Sequence, residues 1–386
     1  MTEREQKEME MRLDAVRGCL LGGAAGDALG YAVEFWGESE IFSRYGKQGI
    51  TEYELDEKTG EALISDDTQM TLFTANGLLV GDTIGFMKGI WGTPRGFAAK
   101  AYEDWLYTQR GSFQNRAKRK YYQSSWLCDV PALYARRAPG NTCLSALMQR
   151  EEEGEKDDYL ADPINNSKGC GGVMRVAPVA FTDRIEGDKL DMEAAQIAAI
   201  THGHSLGYMP AAVLCHILHA IVFGEKRSLK EIVQEAKEAA ERLFAGDGHL
   251  KELTNIIDLA VSLSENGGED LENIHRLGEG WVAEETLAIA LYCSLKYEKD
   301  FSKGLIASVN HKGDSDSTGA VTGNILGALI GYEAMEEKWK ENLECKDVLL
   351  EMAEDLCWGC AKSEYTPHRS ESWEMKYISM HRSAPR

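Results

Sequence analysis

Residues 18–30 read GCLLGGAAGDALG, and residues 319–331 read GAVTGNILGALIG. In both stretches glycine recurs at every fourth position, so the glycines of each stretch share one face of a helix. Glycine inside a helix costs about 1 kcal/mol relative to alanine, but a ridge without side chains lets a second helix approach closely. The two stretches therefore predict two helices that pack deep in the core, either on each other or each against bulky neighbours.

Helical periodicity dominates the rest of the chain. Apolar residues recur at helical spacing, with polar or glycine punctuation, in five further segments: 211–223, 229–244, 250–263, 284–297 and 348–357. Residues 50–53 are a candidate for a short strand, and eight prolines in 386 residues suit long helices. The sequence therefore predicts an all-α fold in a single domain.

The composition narrows the function. The chain carries 63 acidic and 42 basic residues, which gives a formal net charge of −21. This charge disfavours nonspecific binding to nucleic acids and anionic membranes, so we expect neither partner. It does not exclude an anionic small-molecule substrate where local positive groups reverse the field. The N-terminal residues are too charged for a signal peptide, and the nine cysteines follow no disulfide spacing, so we expect a reducing cytoplasm.

Acidic clusters beside the two glycine ridges carry the main chemical signal. The clusters are Asp27 with Glu34, Asp66 with Asp67, and Asp314 with Asp316. Capping a helix needs one acceptor, whereas the last two clusters supply two carboxylates each. If these clusters meet, their repulsion calls for cations, and oxygen ligands favour Mg²⁺, Mn²⁺ or Ca²⁺. The spacing alone leaves simple capping and a hard divalent-cation site both open.

Six motifs together resemble the ADP-ribosylglycohydrolase family. They are GCLLGGAAGDALGYAVEF (18–35), ISDDTQMT (64–71), GCGGVMRVAP (169–178), THGH (201–204), GWVAEETLAIALYCSL (280–295) and GDSDSTGA (313–320). The resemblance implies an orthogonal all-α helical bundle whose central cleft holds a binuclear centre of two Mg²⁺ or Mn²⁺ ions. It also implies a catalytic domain over residues 14–336. Residues 337–386 lie outside the resemblance, and we expect them to form a helical C-terminal extension packed on that domain.

The resemblance assigns roles to the acidic residues. The metal ligands it implies are Ser65, Asp66, Asp67, Asp314, Asp316 and Ser317. The second motif reads Asp-Ser-Asp-Ser in place of the family's usual Asp-Thr-Asp-Thr, which keeps every ligand oxygen. Glu34 corresponds to an acidic residue on a mobile loop with a catalytic or gating role, and Asp316 is expected to share in catalysis. Asp27 would either support the metal site or bond to a nearby arginine or serine.

Substrate binding is also implied by the resemblance. The segments that line the substrate in the family fall on Gly140, Asn141, Ser167, Gly169, Cys170, Gly171 and His202, and Arg137 opens one of these segments. Glycine there exposes backbone N–H groups, which can hold phosphate oxygens. Cys170 stands where many members carry asparagine, so a hydrogen bond to ribose is lost or rearranged. A catalytic thiol at this position is disfavoured because no triad partner can be placed.

The expected reaction follows from the resemblance. It is metal-dependent hydrolysis of the bond between ADP-ribose and an acceptor side chain, with arginine the most common acceptor. The partner is then an ADP-ribosylated protein or a small ADP-ribose conjugate. Two alternatives stay open: a catalytically weak module that binds ADP-ribose, and a metal hydrolase that acts on another ADP-ribose derivative.

Overall fold

The chain folds almost entirely into helices. The computed structural model describes residues 2–118, 125–154, 156–182, 184–359, 373 and 375–379. The α-helices are α1 (Glu3–Tyr31), α2 (Glu38–Tyr45), α3 (Asp66–Lys88), α4 (Pro94–Arg110), α5 (Asn141–Glu153), α6 (Asp188–Ala199), α7 (Ser205–Phe223), α8 (Leu229–Leu243), α9 (Leu250–Glu265), α10 (Asp270–Leu277), α11 (Ala283–Lys296), α12 (Phe301–Val309), α13 (Ser315–Ile330) and α14 (Lys346–Trp358). Short 3₁₀ turns lie at Phe113–Lys118, Trp126–Asp129, Pro131–Tyr134, Cys170–Gly172, Ala177–Phe181 and Glu337–Trp339, and a π turn lies at Met375–Ser379.

The prediction of an all-α fold is confirmed. Each of the five amphipathic segments coincides with one helix, namely α7, α8, α9, α11 and α14, to within a few residues except at the start of α7. The strand suggested for residues 50–53 is wrong: within the described residues there are isolated β-bridges but no extended strand. The side-chain amide of Asn310 accepts from the N–H of Ile50 at 2.7 Å and donates to its carbonyl at 2.9 Å. This amide replaces the neighbour that a strand would need.

Helix α7 begins earlier than its periodicity indicates, at Ser205 rather than residue 211, and includes Pro210. It is long and apolar enough to cross a membrane, but 72% of its most apolar window is buried inside the protein. Helices α6, α8, α9, α11 and α13 pack against it. A helix that is apolar on all sides is typical of the centre of a large core, and α7 has that place here.

Helices α1 and α13 pack directly on each other through their glycine ridges. They run antiparallel: Gly18 faces the carbonyl of Gly327, Gly22 that of Gly323, and Gly26 that of Gly319. A Cβ added at any of these glycines would lie closer than 3.0 Å to the facing carbonyl oxygen, a distance that real Cβ atoms essentially never show. Of the two arrangements left open by the sequence, the one with the ridges on each other is therefore confirmed.

This antiparallel contact decides where the polar residues go. It places the C-terminal end of α1 against the N-terminal end of α13, with Gly30 on the backbone of Ser315. Helix α3 starts at the same point, because its first turn is hydrogen-bonded to Asp27 of α1. Three helix ends with acidic sequences therefore meet at one place in the core.

The last described helix packs on this core as well. Helix α14 contacts α1 and α3, and the preceding Trp339 is fully buried and donates from its indole to Ser302 at 2.7 Å. Most residues after 359 lie outside the described part of the chain. The division into a domain of residues 14–336 and an extension of residues 337–386 stays a prediction.

Replacing a glycine in the ridge is expected to destabilise the protein severely. Gly323→Ala places a methyl group against the carbonyl of Gly22, and because backbone cannot move aside as a side chain can, we expect a loss of about 3 kcal/mol or more of unfolding free energy. Urea denaturation measures this loss. The control is Gly248→Ala, an exposed glycine with no atom near its added Cβ, and similar stabilities for the two variants would contradict close helix packing.

Candidate active site

A cavity of about 460 Å³ lies where the helix ends meet. The residues that line it are Glu34, Phe35, Asp66, Asp67, Arg136, Ala138, Pro139, Gly140, Asn141, Thr142, Cys143, Gly169, Cys170, Gly171, Met174, His202, Trp281, Asp314, Asp316 and Ser317. They come from the ends of α1, α3, α5 and α13 or the segments beside them, from the turn at Cys170–Gly172, and from the segments that precede α7 and α11. Five carboxylates share this wall, which makes it the strongest candidate for a functional site.

Asp27 fixes the start of α3 from behind the cavity. Its carboxylate accepts hydrogen bonds from the N–H groups of Ser65 and Thr68, at 2.9 and 3.1 Å, and from the Thr68 hydroxyl at 2.5 Å. The Ser65 hydroxyl accepts from the N–H of Asp67 at 3.2 Å. Asp27 and Ser65 therefore cap this helix between them, so neither Asp66 nor Asp67 is needed as a cap.

Asp66 and Asp67, which are not needed as caps, line the cavity. Asp66 accepts one hydrogen bond, from the N–H of Gly140 at 3.2 Å. Asp67 is 3% exposed, and its Oδ2 atom has no hydrogen-bond partner. A buried carboxylate oxygen without a hydrogen-bond partner costs free energy, so we expect this atom to bind a partner that the protein itself does not supply.

The start of α13 supplies the facing pair of carboxylates. Asp314 precedes the helix, and its side chain makes no capping bond; its Oδ2 atom instead accepts from the Cys170 thiol at 2.6 Å. Asp316 lies in the first turn, and its Oδ1 atom accepts from the N–H of Ser317 at 2.9 Å. Both aspartates are buried, at 4% and 3% exposed. Simple capping therefore does not account for this pair either.

Glu34 completes the acidic cluster. One carboxylate oxygen each from Glu34, Asp314 and Asp316 lies within 4.8 Å of the others, and Oε2 of Glu34 is buried with no hydrogen-bond partner. Burial, followed by repulsion from Asp316, raises the pKa of Glu34 to about 10 and that of Asp27 to about 7. In the absence of a cation this cluster takes up protons to reduce its charge.

Three other aspartates of the site also have raised pKa values. Burial, followed by repulsion from Asp316, raises the pKa of Asp66, Asp67 and Asp314 well above the usual range. Oxygen atoms from carboxylates and from the Ser317 hydroxyl are the donor set that Mg²⁺ and Mn²⁺ prefer. With an unpartnered buried oxygen on Asp67 and another on Glu34, the residues present fit one or two such ions.

Most of the residues assigned to substrate binding also line the cavity. Gly140, Asn141, Gly169, Cys170, Gly171 and His202 all do so. Ser167 does not; its hydroxyl accepts from the N–H of Gly169 at 3.3 Å and holds the glycine turn from behind. Ser65 is fully buried and does not line the cavity either. The binding and metal roles of these residues stay predictions, and the geometry favours a supporting role for Ser65 and Ser167.

Cys170 is held as a thiol. Burial and the charge of Asp314 raise its pKa well above the usual range, and the thiol donates to that carboxylate. A nucleophilic cysteine needs its thiolate. This environment therefore disfavours the catalytic-thiol alternative.

Several lining residues were missed from the sequence. Phe35 and Trp281 stack at the cavity wall, with ring centroids 6.4 Å apart and an interplanar angle of 26°, although 69% and 42% of their surfaces are exposed. Both residues lie within motifs that resemble the family, and Phe35 directly follows Glu34. Their exposure at the cavity wall, however, can be seen only in the structure. Arg136 also lines the cavity, one residue before the arginine expected there.

Arg137 turns away from the cavity. It forms a two-pronged ion pair with Glu344, one contact of which is 2.9 Å, and donates to the carbonyl of Ile64 at 3.0 Å. Glu344 in turn accepts from the N–H of Ile64 at 3.3 Å. The Arg137 side chain is therefore not part of the cavity wall, although Gly140 and Asn141 of the segment that it opens are, and phosphate binding by this segment stays a prediction. This partly buried ion pair holds the segment that leads into Asp66.

Comparison with known proteins places this all-α chain in one class, the ADP-ribosylglycohydrolases. The family model described as ADP-ribosylglycohydrolase matches residues 8–365. The chain belongs to the ADP-ribosylglycohydrolase family.

Named relatives agree with this assignment. The chain is 24% identical over 338 residues to ADP-ribosyl-[dinitrogen reductase] glycohydrolase of Rhodospirillum rubrum, covering 86% of this chain and 91% of the relative. It is 28% identical over 204 residues to ADP-ribosylhydrolase ARH3 of Homo sapiens, covering 46% and 54%. A solved structure entitled ADP-ribosylglycohydrolase-related protein complex shares the fold, with a TM-score of 0.57, 23% identity and coverage of 90% of this chain and 99% of that chain.

The two neighbouring arginines are expected to differ sharply on substitution. Arg137→Met leaves Glu344 buried without its partner, so we expect a loss of about 3 kcal/mol of unfolding free energy. Arg136→Met, at an exposed position, should change stability by less than about 0.5 kcal/mol. Urea denaturation of both variants measures the difference. If Arg137→Met is as stable as the parent chain, the ion pair does not hold the segment before Asp66.

Proposed function

We propose that this protein is a divalent-metal-dependent hydrolase that cleaves the bond between the anomeric carbon of ADP-ribose and an arginine side chain. The observation that carries the proposal is the convergence of Asp67, Asp316 and Glu34 on one cavity, where one buried carboxylate oxygen of Asp67 and one of Glu34 have no hydrogen-bond partner. Membership of the family supports an ADP-ribose substrate. The metal requirement and the arginine acceptor are part of the proposal.

The metal ligands proposed are the carboxylates of Asp66, Asp67, Asp314 and Asp316, together with the Ser317 hydroxyl. Two Mg²⁺ or Mn²⁺ ions, when bound, supply the positive charge that offsets these carboxylates and orient the ribose hydroxyls and a water. Asp27 and Ser65 support the site indirectly, because they fix the first turn of α3 from which two of the ligands project.

Glu34 is proposed to donate the proton that the leaving group takes up. It stands beside Asp314 and Asp316 on the chain segment that follows α1, where a carboxyl group can give a proton to the departing nitrogen. The transition state of glycosidic cleavage carries positive charge on the sugar ring. The surrounding carboxylates are placed before the reaction begins, so they stabilise this developing charge without having to reorganise.

The aromatic pair at the cavity wall favours an arginine acceptor. A guanidinium group is planar and cationic, and it stacks on aromatic faces. Phe35 directly follows Glu34 in the chain, and Trp281 stacks with it. An acceptor chain that leaves the acidic cluster past these rings therefore meets a surface suited to guanidinium and poorly suited to a serine hydroxyl.

We also propose a cytoplasmic location and an ADP-ribosylated protein or small conjugate as partner. All eight cysteines of the described residues are free thiols, which suits a reducing compartment. The name of the Rhodospirillum rubrum relative gives an ADP-ribosylated protein as its substrate.

Release of ADP-ribose tests the proposed reaction. The purified full chain is incubated with an arginine-ADP-ribosylated protein, with Mg²⁺ or Mn²⁺ and again with a chelator. We expect free ADP-ribose and an intact arginine only with metal, and a loss of at least about 100-fold in Asp67→Asn and Asp316→Asn. Asp258→Asn, which alters an exposed aspartate paired with Lys237, is the control and should retain full activity.

Other products would contradict the proposal in distinct ways. Release of AMP or inorganic phosphate would indicate a different bond cleaved. ADP-ribose that binds but is never released, from either an arginine or a serine linkage, would indicate a binding module. Full activity in the presence of a chelator would exclude the metal requirement.

The stacked aromatic rings are expected to select the acceptor. Trp281→Ala removes one face of the pair, so we expect the KM for an arginine-linked substrate to rise about tenfold, as for the loss of a cation–π contact of about 1.4 kcal/mol. The KM for a serine-linked substrate should change less than twofold. Steady-state kinetics with both substrates measure this, with Trp358→Ala, another exposed tryptophan, as control. Equal effects on the two substrates would remove the role in selection.

A further inference from the structure

Arg175 is a buried cation that the proposed reaction leaves unused. Its side chain is fully buried, behind Cys143, whose sulfur accepts from the guanidinium at 3.6 Å and which lines the cavity. The guanidinium also donates from Nη2 to the carbonyl of Ile197 at 3.2 Å and to the hydroxyl of Thr201 at 2.7 Å. It lies over the ring of Tyr102, 4.4 Å from the centroid. Burying a guanidinium group costs free energy, so we expect the positive charge or the N–H donors of Arg175 to have a role.

Thr201 connects this cation to His202. The Thr201 hydroxyl lies 2.8 Å from Nδ1 of His202, and both residues are buried. A guanidinium group donates hydrogen bonds and cannot accept them, so the hydroxyl oxygen accepts from Arg175. The hydroxyl hydrogen then needs an acceptor. The Nδ1 atom of His202 and the sulfur of Cys143 are the two acceptors that it meets, and because a thiol sulfur accepts only weakly, the ring nitrogen takes the hydrogen bond.

The direction of these bonds fixes the tautomer of the ring. If Thr201 donates to Nδ1, that nitrogen carries no proton, and the proton of the neutral imidazole is on Nε2. The doubly protonated ring is also disfavoured, because burial and the nearby charge of Arg175 lower the pKa of His202 to about 3. One protonation state of the ring is therefore selected at neutral pH.

The selected proton faces the cavity. His202 lines it together with Gly169 and Gly171. A Cβ added at Gly169 would lie 3.2 Å from Nε2 of His202, and one added at Gly171 would lie 3.3 Å from the same atom. The absence of side chains at these two glycines therefore leaves Nε2 open to a ligand.

We infer that Arg175 and Thr201 are positioning residues that hold His202 as an Nε2–H donor, aimed at an oxygen of the bound ADP-ribose. The identity of the ligand rests on the proposed function, whereas the orientation of the donor rests on the hydrogen bonds alone. A donor at this position recognises an acceptor oxygen of the ligand and disfavours a ligand that presents its own N–H or O–H donor there.

The tautomer of His202 can be measured directly. In the full chain labelled with ¹⁵N-histidine, the ring resonances of His202 are assigned by their loss in His202→Gln. We expect Nδ1 to be unprotonated and Nε2 protonated at pH 7, without any ligand. A wild-type ring protonated at Nδ1, or at both nitrogens, would overturn the inference; the protonation state is read from the wild-type chain, and His202→Gln serves only to assign the resonances.

Two variants of Thr201 test the connection to binding. Thr201→Val removes the hydroxyl, so we expect mixed tautomers of His202 and an affinity for ADP-ribose about tenfold lower by calorimetry. Thr201→Ser keeps the hydroxyl and should restore both properties. Thr322→Val is the control, since it removes another buried hydroxyl, whose bond is to the carbonyl of Thr318, and it should change neither property.

The outcomes separate this inference from the proposed function. An unchanged tautomer or an unchanged affinity in Thr201→Val would overturn the positioning role. If the wild-type ring shows the expected tautomer and responds to Thr201→Val but the protein does not bind ADP-ribose, the donor assignment stands and the proposed function fails.

Discussion

The contact between the glycine ridges of α1 and α13 is the constraint on which the rest of the site depends. Because Gly22 and Gly26 meet the backbone carbonyls of Gly323 and Gly319 directly, the two helices cannot slide or rotate without a clash. The antiparallel register then fixes the end of α1 against the start of α13. Glycine at these positions costs helix stability, and in return the carboxylates at the helix ends are held in one place.

The second constraint is electrostatic. Ordinary folding separates like charges, yet here the ends of three helices bring buried carboxylates together, and the capping of α3 by Asp27 and Ser65 leaves Asp66 and Asp67 without a structural task. The unpartnered oxygen of Asp67 shows that the cluster is incomplete as a structural feature. This arrangement is possible because contacts between the backbones of the helices, and not interactions of the carboxylates, fix the positions of the helix ends.

The local patterns could be predicted from the sequence, whereas the long-range partners could not. The glycine spacing and the apolar periodicity predicted the helices, and the acidic clusters could be read from neighbouring residues. The glycines, Cys170 and His202 of the cavity wall were implied by the resemblance to the family and not by periodicity. Arg136 and Arg137 are adjacent and chemically identical, so only the position of Glu344 in space decides which of them faces the cavity. The amide of Asn310, which replaces a strand beside Ile50, lies 260 residues away in the chain. Neither partner leaves a signal in its local sequence.

The most direct test of the central claim, that this carboxylate cluster is built for divalent cations, is a calorimetric titration of the chelator-treated full chain with Mn²⁺. We expect two Mn²⁺ ions per chain, with competition by Mg²⁺, and loss of at least one of the two in Asp67→Asn and in Asp316→Asn. The absence of binding by the parent chain, or binding that is unchanged in both variants, would contradict the claim. It would mean that the buried carboxylates hold protons and not metal.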